Sequence, residues 1–111
     1  MIDKMNKSAY PLKFSLVNKT AVVTGASGLL GQRHCEALLE LGASVILTDI
    51  NVTNLEIAKK NLQDKYKNSN IIHLEMDVSS ETSILKASDQ IYRNKKRVDI
   101  LINNAAVNPT Q

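Results

Sequence analysis

Four short apolar runs divide the chain at intervals of about 25 residues. Each run is continuously hydrophobic rather than alternating, which is typical of a strand covered on both faces of a sheet. The predicted strands are Thr20–Thr24, Ser44–Asp49, Ile71–Glu75 and 98–102.

Between these runs, apolar residues recur with helical spacing. The first predicted helix ends at Gly42, a residue type favoured just past a helix C-terminus. The second is expected to begin near Leu55, because Thr53-Asn54-Leu55-Glu56 has the spacing of a capping box. Ser79 or Ser80 is expected to cap the third. The apolar faces are Leu30, Ala37, Leu38 and Leu41; Leu55, Ala58, Leu62 and Tyr66; and Ile84, Ala87, Ser88 and Ile91.

The resulting βαβαβαβ order predicts an α/β fold. Strands that alternate with helices are parallel and joined by right-handed crossovers, which places helices on both faces of the sheet. We therefore expect an α/β fold with an open parallel sheet of about four strands over residues 19–111. Residues 1–18 show no periodicity and are interpreted as an N-terminal arm.

Composition narrows the class of protein. A chain of 111 residues with 43% hydrophobic residues can bury one modest core, which excludes a two-domain enzyme. Aromatic residues make up 4%, too few for a nucleic-acid module built on stacking rings, and the net charge of +3 is slight. Nucleic acid is therefore not an expected partner.

Cysteine and histidine usage indicates neither disulfides nor a metal site. Cys35 is the only cysteine, and His34 and His73 lack metal-ligand spacing. No apolar run is long enough for a signal peptide or a membrane span. A reducing, cytoplasmic location without membrane attachment is the expectation.

Three of the four glycines lie between the first strand and the first helix. Gly25, Gly28 and Gly31 fall within residues 24–31. Residues without a Cβ let backbone amides and a helix N-terminus approach a phosphate, and a pyrophosphate fits that description. Glycines also serve tight turns and close helix packing, so the loop alone leaves both interpretations open.

Two acidic residues follow neighbouring strands. Asp49 ends the second strand, at the distance past the glycines where a carboxylate reaches the ribose hydroxyls of a bound adenosine. The alternative role, capping the next helix, could be filled by Asn51 or Thr53. Asp77 follows the third strand and is expected at the same edge of the sheet.

At this point the sequence resembles the short-chain dehydrogenase/reductase family over residues 14–109. Ala21-Val22-Val23-Thr24-Gly25 resembles the family's entry into its first strand. Asp77-Val78 resembles its adenine-contacting pair, and 103–106 resembles its Asn-Asn-Ala-Gly segment.

The resemblance implies part of a Rossmann-type sheet, with its four strands in the order 3-2-1-4. It also implies an NAD-dependent oxidoreductase acting on a carbonyl or alcohol of a small molecule, and a homo-oligomer for the full-length enzyme. It implies that Ser27 and Leu30 lie against the ribose and pyrophosphate, and that Asp49 holds the adenosine ribose. Asp77 and Val78 would border the adenine, and Asn103 and Ala105 would line the far side of the cofactor. NAD is expected rather than NADP, since Asp49 would repel a 2′-phosphate and Ile50 follows where NADP-binding members usually place a basic residue.

Two departures from the family pattern are present. The glycines are spaced Gly-x-x-Gly-x-x-Gly, as in the family's extended, sugar-nucleotide-modifying branch, whereas the other motifs resemble the shorter dehydrogenases. Ala106 stands where the family has glycine.

The family's catalytic Ser, Tyr and Lys lie beyond the fourth strand and are absent from these 111 residues, which are therefore expected to be catalytically incomplete. Tyr92 and Lys96 have the family's Tyr-x-x-x-Lys spacing, but a helix running back from Ser80 places them roughly 20 Å from the ligand edge.

We also expect the chain alone to associate through the apolar edge strand 98–102. The alternatives are a non-catalytic nucleotide-binding module, a fragment of the family's extended, sugar-nucleotide-modifying branch, and an S-adenosylmethionine-dependent methyltransferase. The segment Asn103-Asn104-Ala105 disfavours the methyltransferase.

Overall fold

The computed structural model describes residues 14–94 and 97–105. Strands and helices alternate throughout this part of the chain. The elements are β1 (Thr20–Thr24), α1 (Leu29–Glu40), β2 (Ser44–Asp49), α2 (Val52–Lys65), β3 (Ile71–Glu75), α3 (Glu81–Arg93) and β4 (Ile100–Ile102). The βαβαβαβ prediction is confirmed, and most of the proposed N-terminal arm lies outside the described residues.

The four strands form one parallel sheet in the order β3-β2-β1-β4. Val22 of β1 pairs with Ile46 of β2 on one side and with Leu101 of β4 on the other. The predicted fold class and strand order are therefore confirmed. Because the strands are parallel, the loops that follow them meet at one edge of the sheet.

The main core lies between one face of the sheet and helices α1 and α2. Ala21, Val23, Val45 and Leu47 alternate along β1 and β2 and are fully buried there. Leu38 and Leu39 of α1 and Leu55, Ala58 and Leu62 of α2 pack against them. On the other face Val22 and Ile46 are buried, and α3 contributes the buried Ala87.

The predicted start of the second helix is wrong by three residues. Helix α2 begins at Val52, because the Asn51 side chain accepts a hydrogen bond from the Asn54 amide at 2.9 Å. That bond satisfies a first-turn amide before Thr53 can act as a cap. For α3 the prediction is confirmed, since Ser80 accepts from the Ser83 amide at 3.1 Å.

The fourth strand is shorter than predicted. It covers Ile100–Ile102 rather than 98–102. Asp99 still donates its amide to the Thr20 carbonyl oxygen at 2.8 Å, and its carboxylate Oδ2 accepts a hydrogen bond from the Thr20 amide at 2.9 Å. At the start of β1 a backbone bond and a side-chain bond to the same residue therefore replace regular strand pairing.

Several positions of the predicted helical faces also differ. Leu30, which is 61% exposed, and Ala37, Ile84 and Ser88 lie on the surface rather than in the core. The buried residues of α1 are instead Gly31, Cys35, Leu38 and Leu39. Tyr66 follows the end of α2, packs against the core from there, and donates a hydrogen bond to Glu40 Oε2 at 2.7 Å. None of the helices in the described part of the chain is both long and apolar enough to cross a membrane.

Candidate functional site

A cleft of about 250 Å³ lies at the carboxyl edge of the sheet. Its lining comes from the loops that follow β1, β2, β3 and β4: Gly25, Asp49, Ile50, Met76, Asp77, Val78, Ser79 and Ala105. The structure thus brings together Gly25, Asp49, Asp77, Val78 and Ala105, which sequence reasoning placed at one site. Met76 and Ser79 were not predicted, although each adjoins the predicted Asp77-Val78 pair.

Two of the loop glycines are required by packing. Gly25 has a φ of +63°, and a Cβ there would lie 2.9 Å from the Ala105 Cα. A Cβ on Gly31 would collide with the Gly25 carbonyl oxygen and lie 2.9 Å from the Ala26 Cα. The first glycine lets β1 meet the loop after β4, and the last lets α1 pack directly on the loop.

Gly28 has no such packing requirement. A Cβ there would meet only the Gly25 carbonyl oxygen, at an ordinary 3.6 Å. Its φ of −79° and ψ of 170° are accessible to any residue. The space beside Gly28 is therefore open, and the fold does not explain why this position lacks a side chain.

Gly28 is also the N-cap of α1, and no side chain caps this helix. In contrast, Asn51 caps α2 and Ser80 caps α3. The first turn of α1 contains no acidic residue. Its amide N–H groups and the positive end of the helix dipole therefore face the open space without a side-chain acceptor, an arrangement that suits an anion such as a phosphate.

Asp49 is joined to the glycine loop by Ser27. Asp49 Oδ2 accepts from the Ser27 amide at 3.0 Å and from Ser27 Oγ at 2.6 Å, while Oδ1 accepts from the Asn51 amide at 3.1 Å. Burial alone would raise the pKa of Asp49, but these hydrogen bonds outweigh it and hold that pKa below its ordinary value. Asp49 is therefore ionised at neutral pH, and since Asn51 caps α2, capping does not account for Asp49.

The loop after β3 has a similar local arrangement. Asp77 Oδ1 accepts from Ser79 Oγ at 2.6 Å and from the Ser79 amide at 2.9 Å, which lowers the pKa of Asp77. The Asp77 amide donates to Ser83 Oγ at 2.9 Å, which ties the loop to the first turn of α3. Val78 is held next to it in the lining of the cleft.

Thr24 was missed by sequence reasoning and fixes the loop after β4. Its buried hydroxyl oxygen accepts hydrogen bonds from the amides of Asn104 and Ala105, both at 2.9 Å. Thr24 Oγ1 also lies 3.2 Å from Asn103 Oδ1, to which it can donate its proton. The predicted residues Asn103 and Ala105 are thereby placed against the end of β1. The sequence did carry a signal for this role, because Thr24 ends an apolar strand directly before Gly25.

The remaining candidates lie apart from this cleft or outside the described residues. Leu29 and Leu30 are exposed in the first turn of α1, beside Gly28. Tyr92 is 81% exposed near the C-terminus of α3, and Lys96 and Ala106 lie outside the described residues.

Neither the cysteine nor a metal site offers further chemistry in the described residues. Burial, with a smaller effect of Glu36, raises the pKa of Cys35 to about 12, so its thiol is not nucleophilic. The described residues contain no group of three side chains able to hold a metal ion.

A parallel sheet with a glycine-rich loop before its first helix and a carboxylate at the end of β2 is the arrangement typical of nucleotide-binding α/β proteins. The family model "short chain dehydrogenase" matches residues 19–111. The chain therefore belongs to the short chain dehydrogenase family, as the sequence resemblance indicated.

Three similar proteins illustrate the relationship. The uncharacterized oxidoreductase YxbG of Bacillus subtilis (strain 168) is 40% identical over 92 residues, which cover 83% of this chain and 33% of that protein. An NAD+-bound xylitol dehydrogenase is 32% identical with a TM-score of 0.75, over 86% of this chain and 35% of the other. The L-sorbose reductase from Gluconobacter frateurii, complexed with NADPH and L-sorbose, is 26% identical with a TM-score of 0.78. The match covers 85% of this chain and 35% of the reductase. The chain thus spans about a third of the length of each relative.

Proposed function

We propose that residues 19–111 form the NAD(H)-binding part of an oxidoreductase that interconverts a carbonyl and an alcohol on a small molecule. The observation that carries this proposal is Gly28, which leaves open space at an uncapped helix N-terminus although the fold does not require a glycine there. A dinucleotide phosphate explains both features, because it needs close backbone approach and free amides. The bound cofactor would supply or accept the hydride.

The cleft residues fit the rest of a dinucleotide. In this proposal the ionised Asp49 accepts hydrogen bonds from the adenosine ribose, and the adenine lies between Ile50 and Val78, beside Asp77. Ala105 lines this cleft, whereas Asn103 lines the neighbouring apolar cleft between the sheet and α3. Both contact Thr24, and in this proposal they line the far side of the cofactor. Leu30 stands exposed at the start of α1 and would lie against the ribose and pyrophosphate of the cofactor.

NAD is proposed rather than NADP on the basis of Asp49. The two structural relatives above bind NAD+ and NADPH respectively, so family membership leaves the choice open. A 2′-phosphate carries a charge of about −1.5 to −2 near neutral pH and would lie against an ionised carboxylate. The exposed Ile50 that follows offers no positive charge in compensation.

Binding measurements test this proposal directly. Calorimetric titration of the protein with NAD, NADP and S-adenosylmethionine is expected to show binding of NAD, weaker binding of NADP and none of S-adenosylmethionine. Binding of S-adenosylmethionine alone would assign the site to a methyltransferase instead.

Gly28→Val separates binding from folding. The branched side chain fits the backbone conformation at Gly28 but fills the space proposed for the phosphate, so NAD binding is expected to be lost while the melting temperature changes little. Tyr92→Phe is the control, because Tyr92 lies on α3 away from the cleft and the variant is expected to bind NAD normally. Undiminished NAD affinity in Gly28→Val would contradict the proposal.

The proposal extends to the whole enzyme only through the family. We infer a small-molecule substrate and a homo-oligomeric, cytoplasmic enzyme, with the catalytic Ser, Tyr and Lys supplied by sequence beyond these 111 residues. Loss of turnover in Tyr92→Phe, in an enzyme that still binds NAD, would instead assign catalysis to Tyr92.

A further inference from the structure

The first three amides of α1 have no acceptor within the described part of the chain. The first helical hydrogen bond of α1 runs from the Gln32 amide to the Gly28 carbonyl oxygen at 3.0 Å. The amides that precede it belong to Leu29, Leu30 and Gly31. In the proposed function they serve the cofactor pyrophosphate. They can do so only if no carbonyl oxygen of the preceding loop turns toward the same space, because its partial negative charge would repel the phosphate.

The peptide group between Ser27 and Gly28 lies directly before these amides, and the backbone restrains it weakly. Because Gly28 has no Cβ, sterics limit the rotation of this peptide group less than they would at another residue. Its N–H reaches the Gly25 carbonyl oxygen at 3.3 Å, which is longer than a typical backbone hydrogen bond. If the peptide group rotated, the Ser27 carbonyl oxygen would be free to turn toward the space beside the α1 amides.

Gln32 supplies the missing restraint from the first turn of α1. Its side-chain Nε2 donates a hydrogen bond to the Ser27 carbonyl oxygen at 3.0 Å. Its backbone amide donates to the next carbonyl oxygen, that of Gly28, also at 3.0 Å. One half-buried residue therefore holds two consecutive carbonyl oxygens of the loop. Gln32 does not line the cleft, so its effect on a ligand must act through the loop.

We propose that Gln32 is a positioning residue, whose side-chain amide fixes the Ser27–Gly28 peptide group and thereby keeps the first amides of α1 available to the pyrophosphate. This inference rests on the proposed function and adds to it a residue that belongs to none of the sequence motifs. It makes a selective demand on ligands. Gln32 should matter for ligands that carry a pyrophosphate, but not for adenosine, which has no group to place against these amides.

Gln32→Met tests this demand. Methionine has a similar length and helix propensity and keeps the backbone hydrogen bond, but it cannot donate to the Ser27 carbonyl oxygen. The probes are NAD, adenosine 5′-diphosphate and adenosine, titrated by calorimetry or, where binding is weak, by NMR. The affinities for NAD and the diphosphate are expected to fall by roughly five- to tenfold, and the affinity for adenosine should stay the same. A general loss of structure would lower all three affinities.

Gln63→Met is the matched control. Gln63 lies near the C-terminus of α2, and its Nε2 likewise holds two carbonyl oxygens, those of Tyr66 at 3.1 Å and Ser69 at 2.9 Å. This part of the chain leads into the start of β3, at the edge of the sheet opposite the cleft. The control variant should therefore melt at a lower temperature and bind all three probes as the wild type does.

Amide hydrogen exchange gives a second measurement that needs no ligand. The Gly28 amide belongs to the peptide group that Gln32 holds, and its exchange in Gln32→Met should be roughly fivefold faster than in the wild type. The Ala26 amide of the same loop is the internal control. It donates to the Thr48 carbonyl oxygen at 3.0 Å and should exchange at an unchanged rate.

The outcomes separate this inference from the proposed function. A wild-type protein that binds none of the three probes would overturn the proposed function and, with it, the role of Gln32. A wild-type protein that binds NAD, with the same ratio of diphosphate to adenosine affinity in Gln32→Met, would overturn only the role of Gln32. Equal losses for the diphosphate and adenosine, or an unchanged exchange rate at Gly28, would overturn it as well.

Discussion

The Thr24 hydroxyl oxygen accepts a hydrogen bond from the Ala105 amide across 2.9 Å, joining the end of β1 to the loop after β4. The Asn104 amide donates to the same oxygen, also at 2.9 Å. The Asn104 side chain in turn donates from Nδ2 to the Gly25 carbonyl oxygen at 3.2 Å. One buried threonine therefore determines where one wall of the cleft lies.

Replacing this threonine is expected to destabilise the protein. Thr24→Val keeps the shape of the side chain but leaves the amides of Asn104 and Ala105 without their acceptor, which should lower the free energy of unfolding by about 2 kcal/mol. Thr48→Val is the matched control, because the buried Thr48 donates one hydrogen bond, to the Val23 carbonyl at 3.0 Å, and about 1 kcal/mol is expected. Urea denaturation of both variants makes the comparison. Equal losses would contradict the special role of Thr24.

Gly31 and Gly28 should respond differently to the same substitution. Gly31→Ala places a methyl group against the Gly25 carbonyl and the Ala26 Cα, so α1 must move and the free energy of unfolding should fall by about 3 kcal/mol. Gly28→Ala meets open space and should cost about 1 kcal/mol or less. Chemical denaturation gives both values. A cost at Gly28 as large as that at Gly31 would show that the position is required for packing.

This difference between the glycines shows what sequence reasoning could and could not predict. The spacing of Gly25, Gly28 and Gly31 located the loop, but not which glycine serves packing and which leaves space for a ligand. That distinction depends on Ala105, about 80 residues later in the chain, and on the carbonyl orientation at Gly25. Both are properties of the tertiary structure.

The strands were predictable because parallel strands buried on both faces are continuously apolar. Element ends were less predictable, because single side chains decide them. Asn51 starts α2 before the expected Thr53, and the Asp99 carboxylate accepts the hydrogen bond of the Thr20 amide where β4 was expected to begin pairing. Asp49 was predicted at the correct edge from its place after β2, whereas its hydrogen bonds with Ser27 depend on how the glycine loop folds back.

The stability of the protein should depend on the ionisation of Asp49. Its pKa is lower in the folded protein than the ordinary value of 3.8, so the ionised form stabilises the fold at pH values above that value. This contribution is lost as the pH falls through the folded-state pKa. The free energy of unfolding of the wild type, relative to Asp49→Asn, should therefore decline as the pH falls from about 5 through the folded-state pKa of Asp49. Urea denaturation across this range measures it, and a difference that grows toward acid would contradict the assigned hydrogen bonds.

Within the described residues β4 forms one edge of the sheet, and this edge should cause these 111 residues to associate. Leu101 of β4, which pairs with Val22, is 63% exposed at the end of the sheet. It borders an apolar cleft of about 370 Å³ between the sheet and α3, lined also by Ile84 and Ile91. An unpaired, apolar edge strand is a template for pairing with another chain.

Leu101→Lys should therefore shift the sedimentation profile of these 111 residues toward the monomer, because a charge at this edge opposes strand pairing and burial of the cleft. Ile57→Lys is the matched control: Ile57 is 54% exposed on α2, away from β4, and the same change in charge there should leave association unaltered. A wild-type chain that sediments as a monomer and unfolds cooperatively would contradict this prediction and would favour a self-sufficient nucleotide-binding module. Equal effects of the two lysines would indicate that net charge, rather than the β4 edge, controls association.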